Sequence, residues 1–541
     1  MSGAALVTQS LADAGVKTIF SLSGNQIMPI YDACIDAGIR IVHVRHEAAA
    51  VYMADAWAQV TGQVGVALLT AAPGLANGLA PLYSARMAES PVLLLSGDSP
   101  LQADGMGAFQ ELAQTQITQA LVKHARRARK ASELGRDVAW AISEALSGRP
   151  GPVHVALPFD LLTQKAEPDL AGAMPAERRS AKPDAQSVEL IGRLLAASAR
   201  PLALTGPANN RSRAPALLER FSRSTGAPAI PMESPRGLRD PSLGALAESL
   251  RQADLILLIG KIIDFTVDFG RQPSWHPEAK VVVVDPDPAA LERARRLLGD
   301  RMAAGVCADA DATLAALAEA ARHAPREDWN AAVAQSCALR DAPEGKSEKI
   351  SPRALCDAVQ RVLDQASDPI LVCDGGEFGQ WAQAYCTAPT RVINGMSGAI
   401  GGGICYAIAA KIARPDATVV LLMGDGTAGF HLTEFDTAAR ENAPFLAVVG
   451  NDYRWNAEHV IQVREYGPDR LIGCTLSPHA RYDAAAQALG AFGAQVLHAG
   501  DLDAALSGAL QSNRPACVNV EMDGRPAPVF RTDGSPAPSS H

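Results

Sequence analysis

Two acidic residues set just past two apolar runs are the first chemical signal in this sequence. Gly424-Asp425-Gly426-Thr427 follows the run 418–423 (TVVLLM), and Asn451-Asp452-Tyr453-Arg454 follows 445–449 (FLAVV). The aspartates are 27 positions apart, the length of a strand–helix–strand unit. Both therefore fall at the carboxyl ends of parallel strands, where such sheets take their ligands. Two carboxylates meeting there make a hard oxygen site suited to Mg²⁺ with phosphate oxygens. Gly426 lets a backbone approach a phosphate, and Thr427 offers a hydroxyl and an amide at a helix start. Each motif alone is also an ordinary turn sequence. Their joint placement after two strands favours the site.

Other segments carry matching chemistry. Val44-Arg45-His46-Glu47 joins a strand to an alanine-rich helix, and a glutamate there also suits the helix dipole. Glycine-bearing turns stand at 374–376 (DGG), 394–403 (NGMSGAIGGG) and 107–111 (GAFQE). Other common phosphate and nucleophile signatures are absent: no G-x-x-x-x-G-K-[ST], no G-x-S-x-G and no H-E-x-x-H.

Taken together, and with the intervening stretch 65–97, these segments resemble the thiamine diphosphate (ThDP) enzymes of the acetolactate synthase, benzaldehyde lyase and 2-hydroxyacyl-CoA lyase group. The resemblance implies Asp425, Asp452 and the backbone carbonyl of Arg454 as Mg²⁺ ligands. This sequence departs at Asp452, where the group usually has asparagine. Glu47 is implied as the carboxyl group that shares a proton with the cofactor's aminopyrimidine ring, with burial expected to raise its pKa. Gly398 would give its carbonyl to the amino group of that ring. Ile400 would wedge between the two cofactor rings and bend the molecule, a proximity effect. Gly376, Gly426 and Thr427 are implied at the diphosphate. Phe378 stands where relatives carry a polar residue, so only its backbone could serve. Gln110 is implied to hydrogen-bond a substrate oxygen. Asn25 and Gln26 occupy a polar active-site position, with Gln26 in place of a histidine of benzaldehyde lyase. Trp455, with Asn456 and His459, would border the pocket.

These residues need rigid supports, and the pattern supplies them. Short apolar runs at 65–70, 91–96, 153–157, 255–259, 281–285, 370–373, 418–423 and 445–449 alternate with Ala/Leu-rich stretches. Apolar on both faces, they read as central parallel strands. The fold class is α/β, with doubly wound parallel sheets. Composition divides the chain into three blocks, separated at 165–186 and by the charged stretch 325–349. The resemblance makes them a pyrimidine-binding domain (1–165), a central domain (186–325) and a diphosphate-binding domain (350–528). The tail 529–541 reads as disordered. The first and third blocks are alike in size and class, which suggests a duplicated architecture.

Composition narrows the function further. The 541 residues are 48% hydrophobic and 20% charged, enough to bury large cores. A net charge of −9 argues against a nucleic-acid partner. No apolar run approaches the ~20 residues of a membrane helix. Nine cysteines without a C-x-x-C pair point to reduced thiols in a cytoplasm. The resemblance implies a homodimer or homotetramer acting on a small molecule: a 2-oxo acid, a 2-hydroxy ketone or an acyl-CoA. Acetolactate synthase-like decarboxylation and carboligation leads. A lyase of the benzaldehyde or hydroxyacyl-CoA type stands second, and a non-catalytic ThDP-binding paralogue third. In the central block the stretch 260–273 is closer to the acyl-CoA lyase version than to the flavin version. FAD is therefore not expected, and ADP or CoA stays open.

Overall fold

The computed structural model describes residues 1–169, 175–320, 326–340, 348–393 and 396–530. All eight runs read as strands form strands, and they build three parallel sheets. The first holds β1 (Thr18–Ser21), β2 (Arg40–His43), β3 (Gly65–Leu69), β4 (Val92–Asp98), β5 (His124–Arg127) and β6 (Val153–Pro158) in the order β2-β1-β3-β4-β6-β5. The central sheet holds β7 (Pro201–Thr205), β8 (Ala229–Pro231), β9 (Leu255–Ile259), β10 (Lys280–Val284) and β11 (Met302–Val306) in the order β11-β10-β9-β7-β8. The third holds β12 (Pro369–Asp374), β13 (Thr390–Ile393), β14 (Thr418–Gly424), β15 (Leu446–Asn451), β16 (Phe492–Val496) and β17 (Ala516–Glu521) in the order β13-β12-β14-β15-β17-β16.

The first and third sheets thus share one strand order, as a duplicated architecture requires. Their winding reverses between the first and third strands of each sheet. That switch point is where an open α/β sheet leaves a crevice. In the third block it lies between the ends of β12 and β14, which puts Gly375-Gly376 beside Asp425. In the first block it lies between β1 and β3, which brings 24–26 towards Thr70 and Gly74.

These two blocks pack directly on each other. The helix Glu47–Thr61 lies against the helix Gly403–Ala413, and both are lined with buried alanines. Small side chains let the backbones come close, so Gly402 meets the Tyr52 ring, where a Cβ would fall 2.8 Å from it. Tyr52 and Tyr406 meet edge to face at 5.5 Å, and the Tyr406 hydroxyl donates to the buried Asp55 at 3.0 Å.

The central block is pinned by ions. Arg149, from the first block, donates to Glu89 and to Asp285, which sits just past β10, and to the Gly260 carbonyl at 3.1 Å. Glu89 also accepts the Ala208 N–H at 3.0 Å. The charged stretch 325–349, expected to be a separator, instead carries the helix Glu327–Ala338. Its Trp329 and Val333, one helical turn apart, are buried, and the Trp329 indole donates to Pro201 O at 2.8 Å. Apolar anchors at that spacing outweigh the local charge. The segment 531–541, most of the expected disordered tail, lies outside the described residues, as do Asn394 and Gly395. Among the described residues no helix is long and apolar enough to cross a membrane.

Removing Arg149 would strand two nearly buried carboxylates, since Glu89 and Asp285 are 6% and 1% exposed. Arg149→Ala should cost about 3–5 kcal/mol, the usual penalty for breaking a buried pair from one side. Urea unfolding measures it, and a loss below about 1 kcal/mol would mean that water replaces the guanidinium.

Candidate active site

The third block assembles a cluster at its switch point. Asp425 opens a short helical turn after β14 and is 2% exposed. Its Oδ1 accepts the Gly426 N–H at 2.8 Å, and its Oδ2 accepts the Arg454 N–H at 3.2 Å. Asp452 lies just past β15, and the C-terminal segment crosses it so closely that a Cβ on Gly524 would fall 2.8 Å from Oδ2. Burial first, and then the neighbouring Asp452, pushes Asp425 up to about 7. Burial likewise pushes Asp452 up to about 6, against the lowering pull of Arg454. The Thr427 hydroxyl donates to Gly424 O at 2.8 Å, leaving its lone pairs free. Gly375, at φ +102°, lies against Thr427, and Gly376 against Ala457. The Trp455 ring covers Gly426 and meets Phe430 edge to face at 6.2 Å. Phe378 is turned into the core against Gly450.

The loop 398–402 stands beside this cluster. Gly398 has φ +70° with open space where a Cβ would be, and Ile400 is half-buried. Asp374, the last residue of β12, fixes the loop. Its carboxylate accepts the Gly401 N–H at 3.0 Å and the Gly403 N–H at 2.7 Å.

The first block offers a second group of residues. Glu47 is the first residue of its helix and is half-buried in the single chain. Its Oε2 accepts from the Asn77 amide at 2.9 Å, and Gly74 lies close to Oε1. Gln26 is buried and accepts from the Thr70 hydroxyl at 2.8 Å, whereas Asn25 next to it is exposed. Gln110 has φ +59°, and its Oε1 is buried without a partner. The neighbouring Glu111 carboxylate gathers the N–H groups of Gly105, Gly107 and Ala108 and shapes that loop. Among the described residues no hydrogen bond joins Glu47 to the Asp425–Asp452 cluster.

The sequence matches three family models. The thiamine pyrophosphate enzyme N-terminal TPP binding domain covers residues 1–117, the central domain 188–317 and the C-terminal TPP binding domain 374–520. This chain belongs to the thiamine pyrophosphate enzymes. It is 32% identical to an acetolactate synthase large subunit of Mycobacterium tuberculosis over 536 residues, 97% of this chain and 96% of that protein. It is 31% identical to 2-hydroxyacyl-CoA lyase 2 of Homo sapiens, over 88% of this chain and 82% of that protein. Identity to the acetolactate synthase isozyme 2 large subunit of Escherichia coli is 28%, over 97% and 96%. It is thus a ThDP-dependent enzyme related to acetolactate synthases and 2-hydroxyacyl-CoA lyases.

The donor set at the third block's crevice fits this cofactor. Two buried, mutually repelling carboxylates call for a hard cation, and the side-chain-free turn at 375–376 leaves room for a phosphate. Two carboxylates do not close an octahedron, so a backbone carbonyl, phosphate oxygens and water would have to complete it.

Four residues of this site escaped the sequence reading. Asn77 sits inside the segment 65–97 but carries no signature of its own. Asp374 directly precedes the two glycines, so its place at a strand end was visible and its loop-holding role was not. His431, which pairs Nδ1 with Gly401 O at 2.7 Å, and Glu434, buried beneath Arg45, have no local pattern that marks them.

The carboxylate pair makes a pH prediction. Between the unperturbed 3.8 and about 7, the folded metal-free chain binds more protons on Asp425 and Asp452 than the unfolded chain does. Their contribution to stability is therefore present at low pH and lost as pH rises through about 6 and about 7. Melting of metal-free protein should fall more steeply between about pH 4 and about pH 7 in the parent than in Asp452→Asn. Mg²⁺ should restore stability at the upper end and do little at the lower. Equal slopes in the two proteins would contradict this account.

Proposed function

We propose that the protein makes or breaks a carbon–carbon bond next to a carbonyl, with acetolactate synthase-like decarboxylation and carboligation of 2-oxo acids as its reaction. The observation that carries the reading is the presence of two half-sites in one chain. One is an acidic, glycine-lined crevice in the third block; the other is a glutamate held outward by Asn77 in the first. Bound ThDP supplies a cationic ring that accepts the electron pair released when such a bond breaks.

In this reading Asp425, Asp452 and the Arg454 carbonyl hold Mg²⁺. The amides around Gly376, Gly426 and Thr427 face the diphosphate. Asp374 holds the glycine loop so that the Gly398 carbonyl and the Ile400 side chain meet the rings. Glu47 holds and returns the proton of the aminopyrimidine, and Asn77 keeps its Oε2 in place so that Oε1 stays available. Gln110 offers its unpartnered amide oxygen to a substrate hydroxyl, with Asn25, Gln26 and Trp455 around it.

Glu47 stays half-exposed in one chain, and its bonds stay within the first block. This supports a homodimer in which the first block of one subunit faces the third block of the other. The central block is proposed to carry no flavin, because its stretch 260–273 is closer to the acyl-CoA lyase version than to the flavin version. A 2-hydroxyacyl-CoA lyase is the second reading, favoured by relatives of that name over most of the chain. Supplying pyruvate, benzoylformate, benzoin and formyl-CoA and weighing the products separates the two readings.

Glu47→Ala should keep ThDP affinity and lower turnover about 10²- to 10⁴-fold, the range of a lost acid–base group. Near-normal turnover would remove the reading. Mixing Glu47→Ala with Asp425→Ala subunits should recover part of the activity, because one interface in each mixed dimer keeps both groups. Verified mixed dimers that stay inactive would place the site within one chain. An absorbance scan of fresh protein should show no stoichiometric flavin band.

A further inference from the structure

The helix that carries Glu47 starts without the residue that usually completes such a start. His46 is its N-cap, with an extended backbone and an Nδ1 that accepts the Ala48 N–H at 3.1 Å. In a capping box an acidic or amide side chain at the third helical position covers the N-cap's own N–H. Here that position is Ala49, and Glu47, at the first position, is turned to Asn77.

The missing acceptor comes from 388 positions away. The Glu434 carboxylate, fully buried in the third block, accepts the His46 N–H at 3.1 Å and the Arg45 N–H at 3.0 Å and 3.3 Å. The Thr437 hydroxyl donates to Oε2 at 2.6 Å and sets the carboxylate's orientation. The same stretch of chain also reaches the third block's own half-site. Asp425 lies nine positions earlier, and between them His431 pairs with Gly401 O while its ring stands 6.0 Å from that of His46.

We propose that Glu434 is a positioning residue for Glu47. By holding the backbone of Arg45 and His46 it sets the point from which the Glu47 carboxylate reaches the cofactor ring. The inference rests on the reading of Glu47 given above, and it goes further by assigning a residue of the third block to the geometry of the first. Glu434 touches neither cofactor nor substrate, so its loss should spare cofactor binding and disturb proton transfer, where an error of about 1 Å can cost a hundredfold.

The test compares Glu434→Ala and Glu434→Gln with the parent and with Glu47→Ala. Backbone hydrogen–deuterium exchange in the cofactor-free protein reads the hold itself: Glu434→Ala should speed exchange in peptides covering 43–50 and leave other strand peptides unchanged. With ThDP and Mg²⁺ bound, exchange of the cofactor's thiazolium C2 proton should slow about 10- to 100-fold in Glu434→Ala, while ThDP affinity stays within about threefold. Glu434→Gln keeps an acceptor for the two N–H groups and can donate to Thr437, so it should restore most of both readouts. A purely structural role would lower the melting temperature and leave C2 exchange of the folded fraction unchanged, and that result overturns the proposal. Should Glu434→Ala fail to fold, Thr437→Val removes only the orienting hydroxyl. It should speed local exchange and slow C2 exchange about two- to fivefold, a smaller displacement of the same kind; no change in either overturns the proposal. If Glu47→Ala itself exchanges C2 at the parent rate, the reading of Glu47 fails and the proposal with it. If Glu47→Ala is slow and Glu434→Ala is not, the positioning role alone fails.

Discussion

The contact between the helix Glu47–Thr61 and the helix Gly403–Ala413 is the constraint on which the rest of the arrangement depends. Each helix starts at a loop that the proposed reaction uses, Arg45-His46 in one case and 398–402 in the other. Alanines along both faces let the axes approach closely, and Tyr52 against Gly402 sets how far apart the two starts stand. Larger side chains would separate the helices and move both loops. The buried Asp55 adds direction, because it must find its partners, Gln59 and Tyr406, or be left unpaired in the core.

Charge is organised around the same contact. Carboxylates in this molecule do two distinct jobs. Asp374, Glu434 and Glu111 are satisfied by backbone N–H groups and act as fixtures for loops. Asp425 and Asp452 repel one another, so burial leaves them dependent on a cation or on protons. The aspartate at 452 sharpens that dependence, since an asparagine there would carry oxygen without charge. In the proposed reading, such a site would favour a bound divalent ion as pH rises.

The two outer blocks share one strand order and use it differently. The crevice of the third is filled with acids and glycine turns that suit a diphosphate–metal group. At the crevice of the first, the Thr70 hydroxyl donates to Gln26, and the residue proposed to act, Glu47, stands on the helix after β2 instead. The central block follows a shorter order, and the Arg149 ion triad ties it to the first block.

By itself the sequence determined the α/β class and eight of the strands, because apolar runs are local and their physics needs no distant partner; the cofactor came from the resemblance that its short glycine–acid motifs carry. Asp425, Asp452 and Glu47 were singled out through that resemblance. The helix Glu327–Ala338 was not legible, since local charge hid two apolar anchors that count only against Pro201 and its neighbours. Only the tertiary structure decided that Gln26 is spent on Thr70, that Asp374 fastens the glycine loop and that Glu434 caps a helix in another block. A hydrogen bond is made by whatever group arrives within about 3 Å. Across 388 positions, what arrives is decided by how the sheets and helices pack, and no spacing in the chain records it.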